Sequence, residues 1–190
     1  RTPAFWIIAV CLFTPAALVT ALFFFQVSIF RSQGLSQQVA AQIFIVSGVM
    51  MVVAMPFFGR ILDRCPTQYV FAGALLVLSL SMLTASLADN VAMAMIYGAL
   101  FGANNAANIT FFGYMWARYF GRKHLGSVQG AGQMVGVVGA SVGPLPFGLA
   151  FDLSGSYVGT LQGLALVPVG CAMLALFLRT PSWEVEGEKN

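Results

Sequence analysis

The sequence predicts an all-α, polytopic membrane protein with six transmembrane helices. Of its 190 residues, 59% are hydrophobic and only 8% are charged, whereas soluble domains are usually about 45–50% apolar and about 25% charged. The apolar residues form six separate stretches of roughly 20 or more residues, the length that an α-helix needs to cross a bilayer. Their polarity does not alternate, which disfavours a membrane β-barrel.

The six predicted spans follow one another with short connections, so neighbouring helices run antiparallel. The first span is too long for a signal peptide and no small-residue cleavage site follows it. The fifth is interrupted by Gly and Pro, and the sixth leads into a polar tail at 179–190, so the membrane domain is predicted over 1–178. The predicted bounds are Phe5 to Phe30, Val39 to Phe58, Tyr69 to Ala88, Val91 to Trp116, Gly126 to Phe151 and Tyr157 to Leu178.

The distribution of positive charge predicts the orientation in the cell membrane. Of the nine Lys and Arg residues, only Arg31 falls on one side of the predicted bilayer. Short loops rich in Lys and Arg stay in the cytoplasm, so both ends of the segment are predicted to be cytoplasmic. The basic residues flank loops and form no continuous stripe, which argues against binding to nucleic acid. The other eight are Arg1, Arg60, Arg64, Arg118, Arg122, Lys123, Arg179 and Lys189.

The three cysteines do not predict a metal centre or a disulfide framework. Cys11, Cys65 and Cys171 are widely spaced and have no neighbouring His or Cys to complete a ligand set. We therefore expect no metal, no cofactor and no disulfide.

A charged segment, PFFGRILDRCPTQ, ends the second span. Placing Asp63 or Arg64 at the bilayer centre would cost about 2.5–3.5 kcal/mol, so both are expected at the water boundary. Gly59 lacks a Cβ and is expected to let another helix approach closely. The Asp63 carboxylate is expected to face the N-terminus of a helix, where the helix dipole favours an anion.

This G-x-x-x-D-R pattern resembles the loop signature of the major facilitator superfamily, whose transporters have two six-helix halves. The basic turn ARYFGRKHLGSVQG and the interrupted helix GASVGPLPFGLAFDLSGSY add to the resemblance, which covers nearly all of the chain. Together they resemble the C-terminal half of such a transporter, closest to the monocarboxylate and oxalate/formate porter-like branches. After the D-R pair, Cys65 to Gln68 depart from the family's Gly and basic residues, so a complete charge relay is not expected.

The resemblance implies a membrane transporter rather than an enzyme. It implies a preceding six-helix half in the same polypeptide, the lipid bilayer as surroundings and a small solute moved by alternating access. It also implies gating loops at the cytoplasmic ends of the second and fourth helices, formed by Gly59, Asp63, Arg64, Arg118, Arg122 and Lys123.

A shortened echo of the charged segment indicates an internal repeat. Phe58-Gly59-x-x-x-Asp63 and Phe147-Gly148-x-x-x-Asp152 lie 89 residues apart, and each closes the second helix of a three-helix group. The charge distribution puts them on opposite faces, as two inverted repeats at about 5–88 and 91–178 require. The alternative is that Gly and Asp simply end helices often.

Polar residues within the spans are the candidates for solute binding. Asn104 and Asn108 lie one turn apart in helix four, on a face that also carries Tyr97, Phe101, Phe111 and Met115. Asn and Gln in membrane helices also serve as interhelical hydrogen-bond partners, which is the competing interpretation. The predicted solute-binding residues are Tyr97, Asn104, Asn108, Gln129, Gln133 and Gln26.

No Lys, Arg, Asp, Glu or His lies deep within any predicted span. A proton relay or a buried counter-charge would therefore lie in another part of the protein, and this weakens a close assignment to the monocarboxylate-type branches. The alternatives are a channel-like or a non-transporting membrane protein. An intramembrane protease is least favoured, because Gly-x-Ser-Gly is missing and His124 lies alone in a loop.

Overall fold

The computed structural model describes residues 3–121 and 125–178, and all regular structure in these two ranges is helical. Six antiparallel spans follow the predicted order, and the last two are each divided into two helices. The helices are α1 (Pro3–Ser32), α2 (Gln37–Arg64), α3 (Thr67–Ser86), α4 (Val91–Phe120), α5 (Leu125–Val142), α6 (Pro144–Ser154), α7 (Val158–Leu164) and α8 (Leu166–Ala175).

Most of these helices are long and apolar enough to cross a membrane. Among the described residues, five stretches meet that description by length and composition. The remaining span, α4, has 30 residues, but three asparagines lower its hydropathy. The five stretches are Phe5–Ser32, Gln37–Arg64, Thr67–Ser86, Leu125–Ser154 and Val158–Ala175.

Polar caps and glycines end the spans and make the tight turns possible. The Ser36 hydroxyl accepts a hydrogen bond from the Val39 N–H at the start of α2, and Asn90 Oδ1 accepts one from the Met93 N–H at 2.9 Å. Gly155 follows α6 with φ +65°, a left-handed conformation that an L side chain disfavours.

Each of the two divided spans has a proline at or shortly after the division. Pro144 begins α6 directly after Gly143, and it cannot donate a backbone hydrogen bond to the turn before it. In the sixth span the division falls at Ala165, three residues before Pro168. There the Ser79 hydroxyl of α3 donates to the Ala165 carbonyl at 2.7 Å, so the interrupted helix is tied to its neighbour.

Glycines in α4 allow close packing against α2. A Cβ at Gly98 would lie 3.2 Å from Ile43 Cγ2, and a Cβ at Gly102 would overlap the Ser47 carbonyl. The Ser47 hydroxyl also donates to the Gly98 carbonyl at 2.9 Å. This Gly-x-x-x-Gly face brings the two backbones into contact, as small residues do in membrane bundles.

A second glycine face packs α5 against α1. A Cβ at Gly139 would lie 2.9 Å from the Phe13 carbonyl oxygen, and a Cβ at Gly143 would overlap the Ala17 backbone. Gly59 behaves differently from expectation, because a Cβ there would meet nothing within 4 Å. No described residue makes the close approach predicted at Gly59, and the tight glycine contacts within the described chain lie on α4 and α5.

Two spans have little of their surface covered. Only 22% of the most apolar part of α2 and 17% of that of the α5–α6 span are buried, against 61% in α1 and α3. Their exposed side chains are mostly apolar, including Ile45, Val49 and Val52 on α2 and Met134 and Val138 on α5. These two helices therefore form the uncovered sides of the bundle.

Candidate functional site

A groove of about 410 Å³ lies between α1, α4 and α5. This volume is within the usual range for small-ligand pockets. Apolar side chains and glycines form most of its wall, with a few amides and one hydroxyl among them. Its lining residues are Leu12, Pro15, Ala16, Val19, Thr20, Asn105, Asn108, Ile109, Phe112, Gly132, Gln133, Gly136, Val137 and Ala140.

The groove exists because small residues stand where α5 faces α4. A Cβ at Gly136 would meet nothing within 4 Å, so this position leaves the space open. Gly132 is tight, because the buried indole of Trp116 lies directly against its backbone. On the α1 side, Pro15 removes one backbone donor from the helix.

Three amide side chains give the groove its polar character. Asn105 Nδ2 donates to the Phe101 carbonyl of its own helix at 2.9 Å, which leaves Oδ1 without a partner among the described residues. The amides of Asn108 and Gln133 make no hydrogen bond within the described chain. Unpaired amides in an apolar wall are available to hydrogen-bond a solute.

A small cavity of about 10 Å³ lies behind Pro15 and shares Asn108 with the groove. Asn104 also lines this cavity and is only 3% exposed, yet its Nδ2 has no hydrogen-bond partner among the described residues. A volume of this size holds about one water molecule. Asn104 is therefore at the back of the site, and Asn108 connects the two spaces.

The other predicted solute-binding residues lie apart from the groove. Gln26 and Tyr97 are fully buried, and the Tyr97 hydroxyl donates to Gln26 Oε1 at 3.3 Å. This pair packs α1 against α4, as interhelical hydrogen bonds do. Gln129 is partly exposed on α5, one turn before the groove wall that includes Gln133.

The open face of α4 differs from the predicted one. Asn105, Asn108, Ile109 and Phe112 face the groove, whereas Phe101, Phe111 and Met115 of the predicted face are fully buried in the bundle. Asn105 and Thr20 line the groove but were not among the solute-binding residues predicted from the sequence. The spacing 105, 108, 109, 112 follows the same helical period as the predicted face, so the signal was present in the sequence.

Comparison with protein families decides the identity of the chain. A family model of the Major Facilitator Superfamily matches residues 1–189. The chain belongs to the Major Facilitator Superfamily. A search among curated proteins gave no significant match. Together with its apolar helices, this membership makes the chain a multi-pass membrane protein of a transporter family, and members of that family are not enzymes.

The G-x-x-x-D-R segment, which resembles the superfamily's loop signature, lies at the end of α2. Asp63 and Arg64 are exposed, and Asp63 makes no hydrogen bond or ion pair with any described residue. The expected contact of Asp63 with a helix N-terminus is therefore not formed in this structure. Arg122 and Lys123 lie outside the described residues.

Tyr114 links α4 to the last turn of α2. Its hydroxyl donates to the Leu62 carbonyl in the last turn of α2 at 3.3 Å. The Arg118 guanidinium lies 5.3 Å from the Tyr114 ring centroid and also donates to its hydroxyl. The end of α4 is thereby joined to the turn of α2 that precedes Asp63.

Two of the three cysteines are buried between helices, and the third is exposed. Cys11 Sγ donates to the Cys171 carbonyl at 3.4 Å, and Thr14 Oγ1 lies 3.2 Å from Cys171 Sγ, so these buried thiols pack α1 against α8. Cys65 is exposed, and none of the three is bridged.

Proposed function

We propose that this chain is the C-terminal six-helix half of a secondary active transporter that moves a small solute by alternating access. The observation that carries the proposal is the groove between α1, α4 and α5, where unpaired amides stand in an apolar wall. Sites of this kind at the midplane of helical transporters bind the solute between helices. Asn108, Asn105 and Gln133 are the proposed contacts, with Asn104 behind them.

The internal contacts support two inverted units of three spans each. The first unit is α1–α3, and the second is α4–α8, in which the last two spans are each divided into two helices. The most extensive packing is between α2 and α4, and α1 also packs extensively against α5, so the second span of each unit lies against the first span of the other. Paired glycines form both contacts, Gly98 and Gly102 in one and Gly139 and Gly143 in the other. Such an exchange is what an inverted repeat produces.

The uncovered apolar sides of α2 and α5 support a second six-helix half as the partner. In this arrangement the groove faces that half, and the lipid bilayer surrounds the remaining helices. The end of the bundle with Asp63 and Arg118 would face the cytoplasm of the cell, as the distribution of Lys and Arg predicts. A relationship to the monocarboxylate and oxalate/formate branches stays a proposal.

Uptake by the full-length protein tests the proposal directly. The purified protein would be reconstituted into liposomes and given small acids, amino acids, sugars and cationic drugs under an imposed proton or sodium gradient. We expect saturable uptake of at least one solute class above empty liposomes. A well-folded protein that moves none of them under either gradient would contradict the transporter assignment.

We further propose that Gly59, Asp63 and Arg64 in the last turns of α2 and Arg118 near the end of α4 form a cytoplasmic gate. Asp63→Ala is expected to reduce uptake several-fold, because a charge at the end of α2 would be needed when that end closes. Asp89→Ala is the matched control, since Asp89 is an exposed loop carboxylate at the opposite end. Equal uptake by both variants, at equal amounts in the membrane, would contradict a gating role for Asp63.

A further inference from the structure

A second open groove lies at the opposite end of the bundle from Asp63. It has a volume of about 510 Å³ and runs between the last turns of α1 and the end of α6. Its wall combines aromatic and aliphatic side chains with one arginine and two serines. Its lining residues are Phe24, Val27, Ser28, Arg31, Ser32 and Phe151.

Arg31 is the one charged residue among the six that line this groove. Arg31 is exposed, and its side chain makes no ion pair or hydrogen bond with any described residue. No acidic residue lines this groove or the central one in the described chain. Asp152 follows Phe151 and is exposed, but it forms no ion pair with Arg31. The guanidinium therefore keeps all of its donors available.

Hydroxyl groups next to Arg31 add one further donor. Ser28 Oγ and the Tyr157 hydroxyl lie 2.9 Å apart and share one hydrogen bond. Two hydroxyls carry two O–H groups, so one donor of the pair is left over. The Ser32 hydroxyl already donates to the Ile29 carbonyl at 2.7 Å.

The outer groove continues the central groove along the same helix faces. On α1, Ala16 and Thr20 line the central groove, and Val27 and Arg31 follow on that face at helical spacing. On the other wall, Ala140 of α5 is followed by Phe151 of α6. Thr20 and Arg31 are separated by roughly 16 Å along the helix axis.

We propose that the Arg31 groove is the charge-selecting mouth of the solute path. This proposal rests on the proposed transport function. In it, the groove is a docking subsite for solutes that carry an oxyanion group, and Arg31 repels cations. Arg31 supplies the charge, the Ser28–Tyr157 pair supplies a hydrogen bond, and Phe24 and Phe151 contact the apolar part of the solute. A positive charge at the mouth of a solute path raises the local concentration of anions, most strongly at low salt.

The test measures the electrostatic potential of the mouth without knowledge of the solute. The full-length protein carries Phe24→Cys, with its other reactive cysteines, including Cys65, replaced by Ser. The rates of modification by an anionic and a cationic methanethiosulfonate reagent are compared at low salt. We expect Arg31→Gln to lower the anion-to-cation rate ratio about fourfold, from the loss of one charge at about 10 Å.

Two matched variants separate the charge of Arg31 from other effects. Arg31→Lys is expected to keep the ratio, and salt at about 0.5 M is expected to abolish the difference between the parent protein and the Arg31→Gln variant. In a protein whose only reactive cysteine is Cys65, at the opposite end, Arg31→Gln should leave the ratio unchanged. If Arg31→Gln left the anion-to-cation rate ratio at position 24 unaltered, the proposal would be overturned even in a protein that shows uptake. If the ratio changed but the protein showed no uptake, the result would count against the transport function alone.

Discussion

Replacement of Gly102 by Val is expected to prevent stable assembly of the bundle. A Cβ at this position would overlap the Ser47 carbonyl and lie 2.9 Å from Met50 Cβ, so α2 and α4 would have to separate. Overpacking of a filled core costs about 1–3 kcal/mol, and a backbone obstacle leaves little room for relaxation. The hydrogen bond from Ser47 to the Gly98 carbonyl would be lost with the contact.

The measurement is the thermal stability and the monodisperse fraction of detergent-purified protein. Gly113→Val is the matched control on the same helix, because a Cβ there meets nothing within 4 Å. We expect the Gly102 variant to lose most of its monodisperse peak and the Gly113 variant to resemble the parent. Equal behaviour of the two variants would show that the α2–α4 contact is looser than described.

Replacement of Asn108 by Leu is expected to have the largest effect on transport. The two side chains have similar volumes, but Leu removes the amide that faces both the central groove and the small cavity beside Asn104. Loss of one hydrogen bond to the solute costs about 1–1.5 kcal/mol, which corresponds to about a tenfold fall in kcat/KM for uptake.

The control for this effect is Gln162→Leu. Gln162 is an exposed amide on α7 and lines neither groove. The Gln162→Leu substitution also removes an amide from a membrane helix, and it is expected to leave uptake unchanged. If both variants transported equally well at equal membrane levels, Asn108 would be a packing residue and not a solute contact.

Much of the fold could be predicted from hydropathy, because crossing a bilayer requires long apolar helices with internally satisfied backbones. The order of the six spans and the Gly and Pro interruption in the fifth follow from the sequence alone. The division of the sixth span at Ala165 was not predicted, although Pro168, three residues further on, indicated a weak point in the helix. Gly98 and Gly102 also carried a signal, since G-x-x-x-G in an apolar helix favours close contact.

The site could be predicted only in part, because helical period gives relative positions and not which face is open. Asn104, Asn105 and Asn108 spread over more than one face of α4, so the partners of that helix decide which amides face the groove. Tyr97 and Gln26 lie 71 residues apart and form a hydrogen bond inside the bundle. That pairing depends on how α1 meets α4, which single-helix patterns do not contain.

Aqueous reactivity at position 108 is the most direct test that the groove is the solute path. Full-length protein with Asn108→Cys, in a background without other reactive cysteines, would be treated in liposomes with a water-soluble maleimide. Leu80→Cys is the control, because Leu80 is 52% exposed on α3, which lines neither groove. A thiol in hydrocarbon does not ionise and should not react.

The predicted result is labelling of Cys at position 108 but not at position 80, with labelling at 108 slowed by a transported solute. Equal labelling at the two positions, or no labelling at 108 in a protein that transports, would contradict the central groove as the path.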